Sequence, residues 1–133
     1  MSLTFISNEL KKILTIISKL LFYKRQPLEV IRNSEYSKDS DVYMLAMVFY
    51  EYYTAVGLEK NGNRDPAVTS LACVPFASVE INQILCNLLD GEIPLRPPEC
   101  PLWLYEDIMI PCWSQERTSR PSTKQIVKMI SER

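Results

Sequence analysis

Histidine is absent from the 133 residues. That removes the commonest metal ligand and the side chain that most readily exchanges protons near neutral pH. The four cysteines, Cys73, Cys86, Cys100 and Cys112, form no CxxC pair. A structural zinc site therefore has a poor ligand supply. Buried, reduced thiols in a cytoplasmic protein are the expectation instead. Glycine is scarce: Gly57, Gly62 and Gly91 stand far apart, so no glycine-rich loop cradles a phosphate. Excess charge is also missing, since 15 basic and 16 acidic residues leave a net charge of −1. Nothing in that balance recruits nucleic acid or an anionic membrane. No uncharged apolar run reaches the roughly 18 residues of a membrane span. Glu9, Lys11, Lys12 and Lys19 interrupt the apolar N-terminal stretch, which does not read as a secretory signal.

What is present is an apolar chain, 47% hydrophobic, of a length that suits one domain with a real core. Residues 5–22 read as an amphipathic helix, with Ile6, Leu10, Ile13, Leu14, Ile17, Leu20 and Leu21 at three- and four-residue steps. Ile16 departs from the stripe, and Ser7 or Asn8 is placed to cap the start. Such a helix suits docking, a membrane surface or packing on its own domain; stripes of this kind usually face a core.

A polar break over 23–26 leads to Pro27-Leu28-Glu29-Val30-Ile31, then to a polar loop over 33–40. Residues 41–53, DVYMLAMVFYEYY, are apolar or aromatic all round apart from Asp41 and Glu51. That pattern predicts a central helix surrounded by other elements. Residues 57–78 read as a long connection. Ser78 is expected to cap a helix over 79–89 that stops at Asp90-Gly91. Four prolines stiffen residues 92–101. A helix is expected over 102–114, with Leu104, Ile108 and Cys112 on one face, kinked or shortened at Pro111. A last helix over 123–131 is expected to turn Ile126, Met129 and Ile130 inward. The fold class is all-α, with no strand that alternates cleanly and no internal repeat.

In this order the residues resemble the protein kinase catalytic domain, tyrosine-kinase-like, over the C-terminal half of its large lobe. Pro27-Leu28-Glu29 is similar to the Ala-Pro-Glu motif, and Ser40-Asp41-Val42-Tyr43 to the Ser-Asp-Val-Trp that opens the F helix. Glu51 stands where kinases often carry a glutamate, and Pro75-Phe76 resembles the step before the G helix. Residues 91–105, GEIPLRPPECPLWLY, resemble the tyrosine-kinase connector between the G and H helices. Cys112-Trp113 and Arg120-Pro121 are similar to the Cys-Trp and Arg-Pro pairs that flank the turn into the I helix. The resemblance covers about residues 27–133. It implies a helical subdomain corresponding to the F–I helices, with residues 25–133 as a partial kinase domain and 1–24 as a separate amphipathic helix.

The resemblance implies roles for single residues. Glu29 and Arg120 would form a buried ion pair, with Pro121 following the arginine; otherwise Glu29 is a solvated loop acid. Asp41 would accept hydrogen bonds from a catalytic-loop backbone, and without that loop would be a costly buried carboxylate. Trp113 would fill core rather than stack on a ligand. Several positions depart from the family pattern: Pro27 and Leu28 replace Ala-Pro, Tyr43 replaces tryptophan, Ala46 replaces glycine and Ile93 replaces arginine.

The parts that transfer phosphate are not in this sequence. A glycine-rich loop, a Val-Ala-Ile-Lys-like strand, His-Arg-Asp and Asp-Phe-Gly are all missing. Catalytic, cofactor-binding and metal residues are therefore expected to be none; ATP and magnesium belong to an intact parent. Two readings follow. One is a fragment of a protein kinase, inactive alone, supplying a substrate-side platform. The other is a stand-alone pseudokinase-like module that binds a kinase or its substrate. The 5–22 helix is expected to substitute for the kinase E helix by lying on Tyr43, Ala46, Met47 and Tyr50.

Overall fold

The computed structural model describes residues 8–9, 24–62 and 73–133. The expected 5–22 helix lies almost wholly outside them, as does much of the connection before Cys73. The described residues form helices and turns, with no strand among them.

Helix α1 spans Leu28–Asn33 and ends at Ser34, which takes a left-handed conformation with φ 54°. The Ser34 N–H closes on Val30 O at 2.9 Å and the Glu35 N–H on Glu29 O at 3.3 Å, satisfying carbonyls that the helix end leaves open.

Helix α2 spans Lys38–Lys60, longer at both ends than the expected 41–53. Its start is set by a reciprocal cap: the Ser40 N–H donates to Ser37 Oγ at 3.2 Å and the Ser37 N–H to Ser40 Oγ at 2.8 Å. Its far end runs through Gly57 because tertiary contacts outweigh the roughly 1 kcal/mol that glycine costs in a helix. Lys60 pairs with Glu99 at 2.8 Å, holding the last turn against the proline connector. Burial around α2 is not uniform. Val42, Tyr43, Ala46 and Met47 are buried, while Val48 and Tyr52 stand 59% and 60% exposed.

Helix α3 spans Ile81–Leu89. Ser78 is not its cap, in contrast to expectation. A turn precedes the helix, with Val79 N–H donating to Phe76 O at 2.9 Å and Phe76 at φ 54°. Gly91, at φ 79°, ends the helix with its N–H on Leu88 O at 3.1 Å. Only glycine adopts that backbone without strain.

The expected 102–114 helix is a composite of α4 (Leu102–Leu104), a π-helical turn (Tyr105–Met109) and α5 (Ile110–Cys112). The helix ends at Cys112, one residue past Pro111 and short of the expected 114. Pro111 has no N–H to give, and the turn before it widens so that Ile110 N–H reaches Tyr105 O. Leu104, Ile108 and Cys112 are all buried on one face. A 3-10 turn, Arg117–Ser119, leads to α6, Thr123–Ser131. There Ile126 is buried and Met129 packs on the core, but Ile130 is 41% exposed.

The core is the meeting of α2 with the 100–113 segment and α6: Val42, Tyr43, Ala46 and Met47 against Cys100, Leu104, Ile108, Met109, Cys112, Trp113 and Ile126. Tyr43, Ala46 and Met47 of α2 are buried in this core, and the expected packing of the 5–22 helix on them lies outside the described residues. All four cysteines are free, three of them buried as expected, while Cys86 is exposed on α3.

Candidate functional site

The most heavily bonded polar group among the described residues is Arg120. It lies between the 3-10 turn and α6, in an extended conformation that a following proline favours. Pro121 is that residue. Arg120 Nη1 donates to Glu29 Oε1 at 2.5 Å and Nη2 to Glu29 Oε2 at 3.3 Å, a two-pronged pairing. Nη1 also donates to Asp39 O at 3.1 Å, and Nε to Ser114 O at 2.9 Å. The Tyr43 ring lies 5.1 Å from the guanidinium, within range of a cation–π contact. The Arg120 side chain is 1% exposed and that of Glu29 13%. One arginine thus ties together α1, the start of α2 and the segment leading into α6.

Burial pushes the Tyr43 hydroxyl far above its ordinary pKa; Arg120 pulls it down and Glu29 pushes it up. Burial likewise raises the Cys112 thiol to about 11, with Arg120 opposing. Neither group ionises at neutral pH.

Asp41 is exposed on the first turn of α2, where a carboxylate suits the helix dipole. It is not the buried carboxylate expected from the resemblance. Trp113 is 3% exposed within the core, its ring 6.1 Å from that of Tyr105 in an edge arrangement.

Sequence reasoning treated residues 23–26 as a polar break and missed their structural part. Lys24 is 8% exposed; its Nζ donates to Phe76 O at 3.0 Å and Ala77 O at 3.4 Å, and burial lowers its pKa. Arg25 pairs with Glu51 of α2, with Nη2–Oε2 at 3.4 Å. Gln26 is 1% exposed. The partners of Lys24 and Arg25 lie 26 or more positions away, so no local pattern announces them.

Lys24 thereby holds the 76–77 turn at the rim of an open groove of about 690 Å³, lined by Tyr50, Phe76, Val79, Ile93 and Leu95 among others. At the other end of α3, Gln115 Nε2 donates to Leu88 O at 2.7 Å, clasping the helix terminus. Among the described residues no group of three or more His, Cys, Asp or Glu side chains is arranged to hold a metal ion. No helix there is long and apolar enough to cross a membrane.

Comparison with known proteins agrees with this architecture. Residues 15–130 match the family described as protein tyrosine and serine/threonine kinase. The insulin-like receptor of Drosophila melanogaster is 30% identical over 111 residues, covering 84% of this chain and 4% of the receptor. The inactive tyrosine-protein kinase RYK of Caenorhabditis elegans is 29% identical over 99 residues, 74% of this chain and 14% of that protein. The tyrosine-protein kinase receptor TYRO3 of Danio rerio is 28% identical over 103 residues, 77% of this chain and 10% of that receptor. The chain thus spans a small part of each relative's length. With the family match covering nearly all of it, and helices without strands among the described residues, the chain belongs to the protein tyrosine and serine/threonine kinase family.

Proposed function

We propose that this chain is the substrate-side part of a tyrosine-kinase-like large lobe, unable to transfer phosphate by itself. The observation that carries the reading is the Glu29–Arg120 clasp, which fixes the turn of α1 against α2 and α6. The groove bordered by Phe76 and Ile93, whose 76–77 turn Lys24 holds, is the shaped surface offered to a protein partner. A kinase or a kinase substrate is the partner class, and the cytoplasm the compartment.

The ATP–magnesium group does not fit the residues of this chain. Its glycines are dispersed, it has no histidine, and its described carboxylates do not cluster. In an intact parent, ATP and magnesium would be held by residues other than these, and the parent would transfer phosphate to protein hydroxyls. A stand-alone binding module is the second reading. It is favoured by the clasp and core closing within the described residues, and one relative's name includes the word inactive.

The test is calorimetric titration of the purified chain with ATP and magnesium, together with a phosphate-transfer assay on a generic tyrosine-containing polymer. No saturable heat and no transfer are expected. Saturable ATP binding, or transfer above a blank, overturns the reading.

A further inference from the structure

Trp113 carries one polar atom, the indole Nε1, and it can only donate. It is buried, yet finds no acceptor among the described residues. Orphaned buried donors are rare in folded proteins, because the water bond lost on burial must be replaced. Trp113 also lines a small, partly open cavity of about 40 Å³. Leu28 of α1 and Leu88 of α3 supply apolar walls; Tyr43, Glu92, Gln115 and Arg120 supply polar ones.

We propose that this cavity is a buried water site, in which a water accepts the Trp113 N–H and bridges it to polar groups of the opposite walls. Size selects the ligand class. A water needs roughly 10–15 Å³ of such space, and 40 Å³ is too little for an organic molecule.

The hydrogen-bond inventory supplies the remaining partners. Gln115 spends its Nε2 on Leu88 O, which leaves its carboxamide oxygen to accept. The Tyr43 hydroxyl and the Glu92 carboxylate accept as well. Arg120 gives hydrogen bonds to Glu29, Asp39 O and Ser114 O and retains one further Nη2–H to donate. A buried water usually makes about three hydrogen bonds, and this set meets that number.

The site lies between two junctions that share no direct bond among the described residues. One is the Glu29–Arg120 clasp; the other is the Gln115 clasp on the end of α3. A water here completes a polar path from α1 to the terminus of α3.

The experiment is a water–amide cross-relaxation spectrum of the ¹⁵N-labelled chain, with the two indole signals assigned through Trp103→Phe. A long-lived water contact at the Trp113 N–H is expected, with the sign of cross-relaxation rather than of chemical exchange. It should persist in Tyr43→Phe, which removes relay through that hydroxyl. Loss of the contact in Tyr43→Phe, or no contact in the unaltered chain, overturns the proposal. A crystal structure adds a second readout. Solvent density within hydrogen-bond distance of Nε1 supports the site; a protein acceptor in that place, or a dry cavity, rejects it.

Discussion

Arg120 meets Glu29 across 91 positions of the chain, with Nη1–Oε1 at 2.5 Å and Nη2–Oε2 at 3.3 Å. The two residues belong to elements that have no local reason to associate. Their pairing closes the chain on itself, and its energetics dominate the first prediction.

Replacing Arg120 with methionine is expected to lower unfolding free energy by about 3–5 kcal/mol, because Glu29 is left facing a largely buried space without its counter-ion. Glu29→Gln is expected to cost less, since the amide still accepts one hydrogen bond. A double-mutant cycle in urea measures the coupling between them. Additive losses would show that the contact contributes nothing.

The thiols set an alkaline limit. Burial raises the folded Cys112 pKa to about 11, above the ordinary value of 9.0. Between those values the unfolded chain has released a proton that the folded chain still holds. Stability from this group is therefore complete below about pH 9 and falls as pH rises toward about 11, by roughly 2–3 kcal/mol if it acted alone. Burial also raises Cys73 and Cys100, which adds in the same direction. Urea titrations at stepped pH check the slope.

Thiol labelling separates the cysteines independently. Cys86 is exposed and Cys73, Cys100 and Cys112 are buried. One thiol per chain is expected to react quickly with a maleimide at neutral pH, and that thiol is lost in Cys86→Ser. Fast labelling of a second residue in that variant contradicts the packing described.

Gly57 lies inside α2, and a Cβ built there would meet only Glu99 Cγ at 3.6 Å, an ordinary contact. Gly57→Ala is expected to stabilise the chain by about 0.5–1 kcal/mol, through reduced freedom of the unfolded state. A lowered melting temperature would mean that α2 does not continue through this position.

Lys24→Met removes the donor to Phe76 O and Ala77 O. Faster amide exchange is expected across residues 74–80, with little change in α6. The loss should be about 1–3 kcal/mol, the cost of carbonyls left without a donor. Unchanged exchange in that turn would show that the lysine does not hold it.

Much of the architecture was legible. The repeat Leu104, Ile108, Cys112 announced a helix face, and that face is buried. Gly91 announced a helix end, and it takes the positive φ such an end requires. The apolar run from Asp41 to Tyr53 announced the central helix. These signals are local: they depend on periodicity and on backbone freedom, which neighbouring residues carry among themselves.

Other features were not legible for a stated reason. The burial of Lys24 depends on partners far along the chain. Val48 and Tyr52 have the composition of core residues but face outward, because packing covers only one side of α2. Ile130 fits the inward stripe of α6, yet the helix meets the core along a line that centres on Ile126.

By itself the sequence determined most of the helices, the glycine that ends α3 and, through its ordered motifs, the family. Tertiary structure alone decided which face of α2 is covered, that Asp41 meets solvent, and that the Trp113 indole is enclosed without an acceptor. Propensity acts over a few residues, whereas burial and polar satisfaction are properties of surfaces brought together from distant parts of the chain.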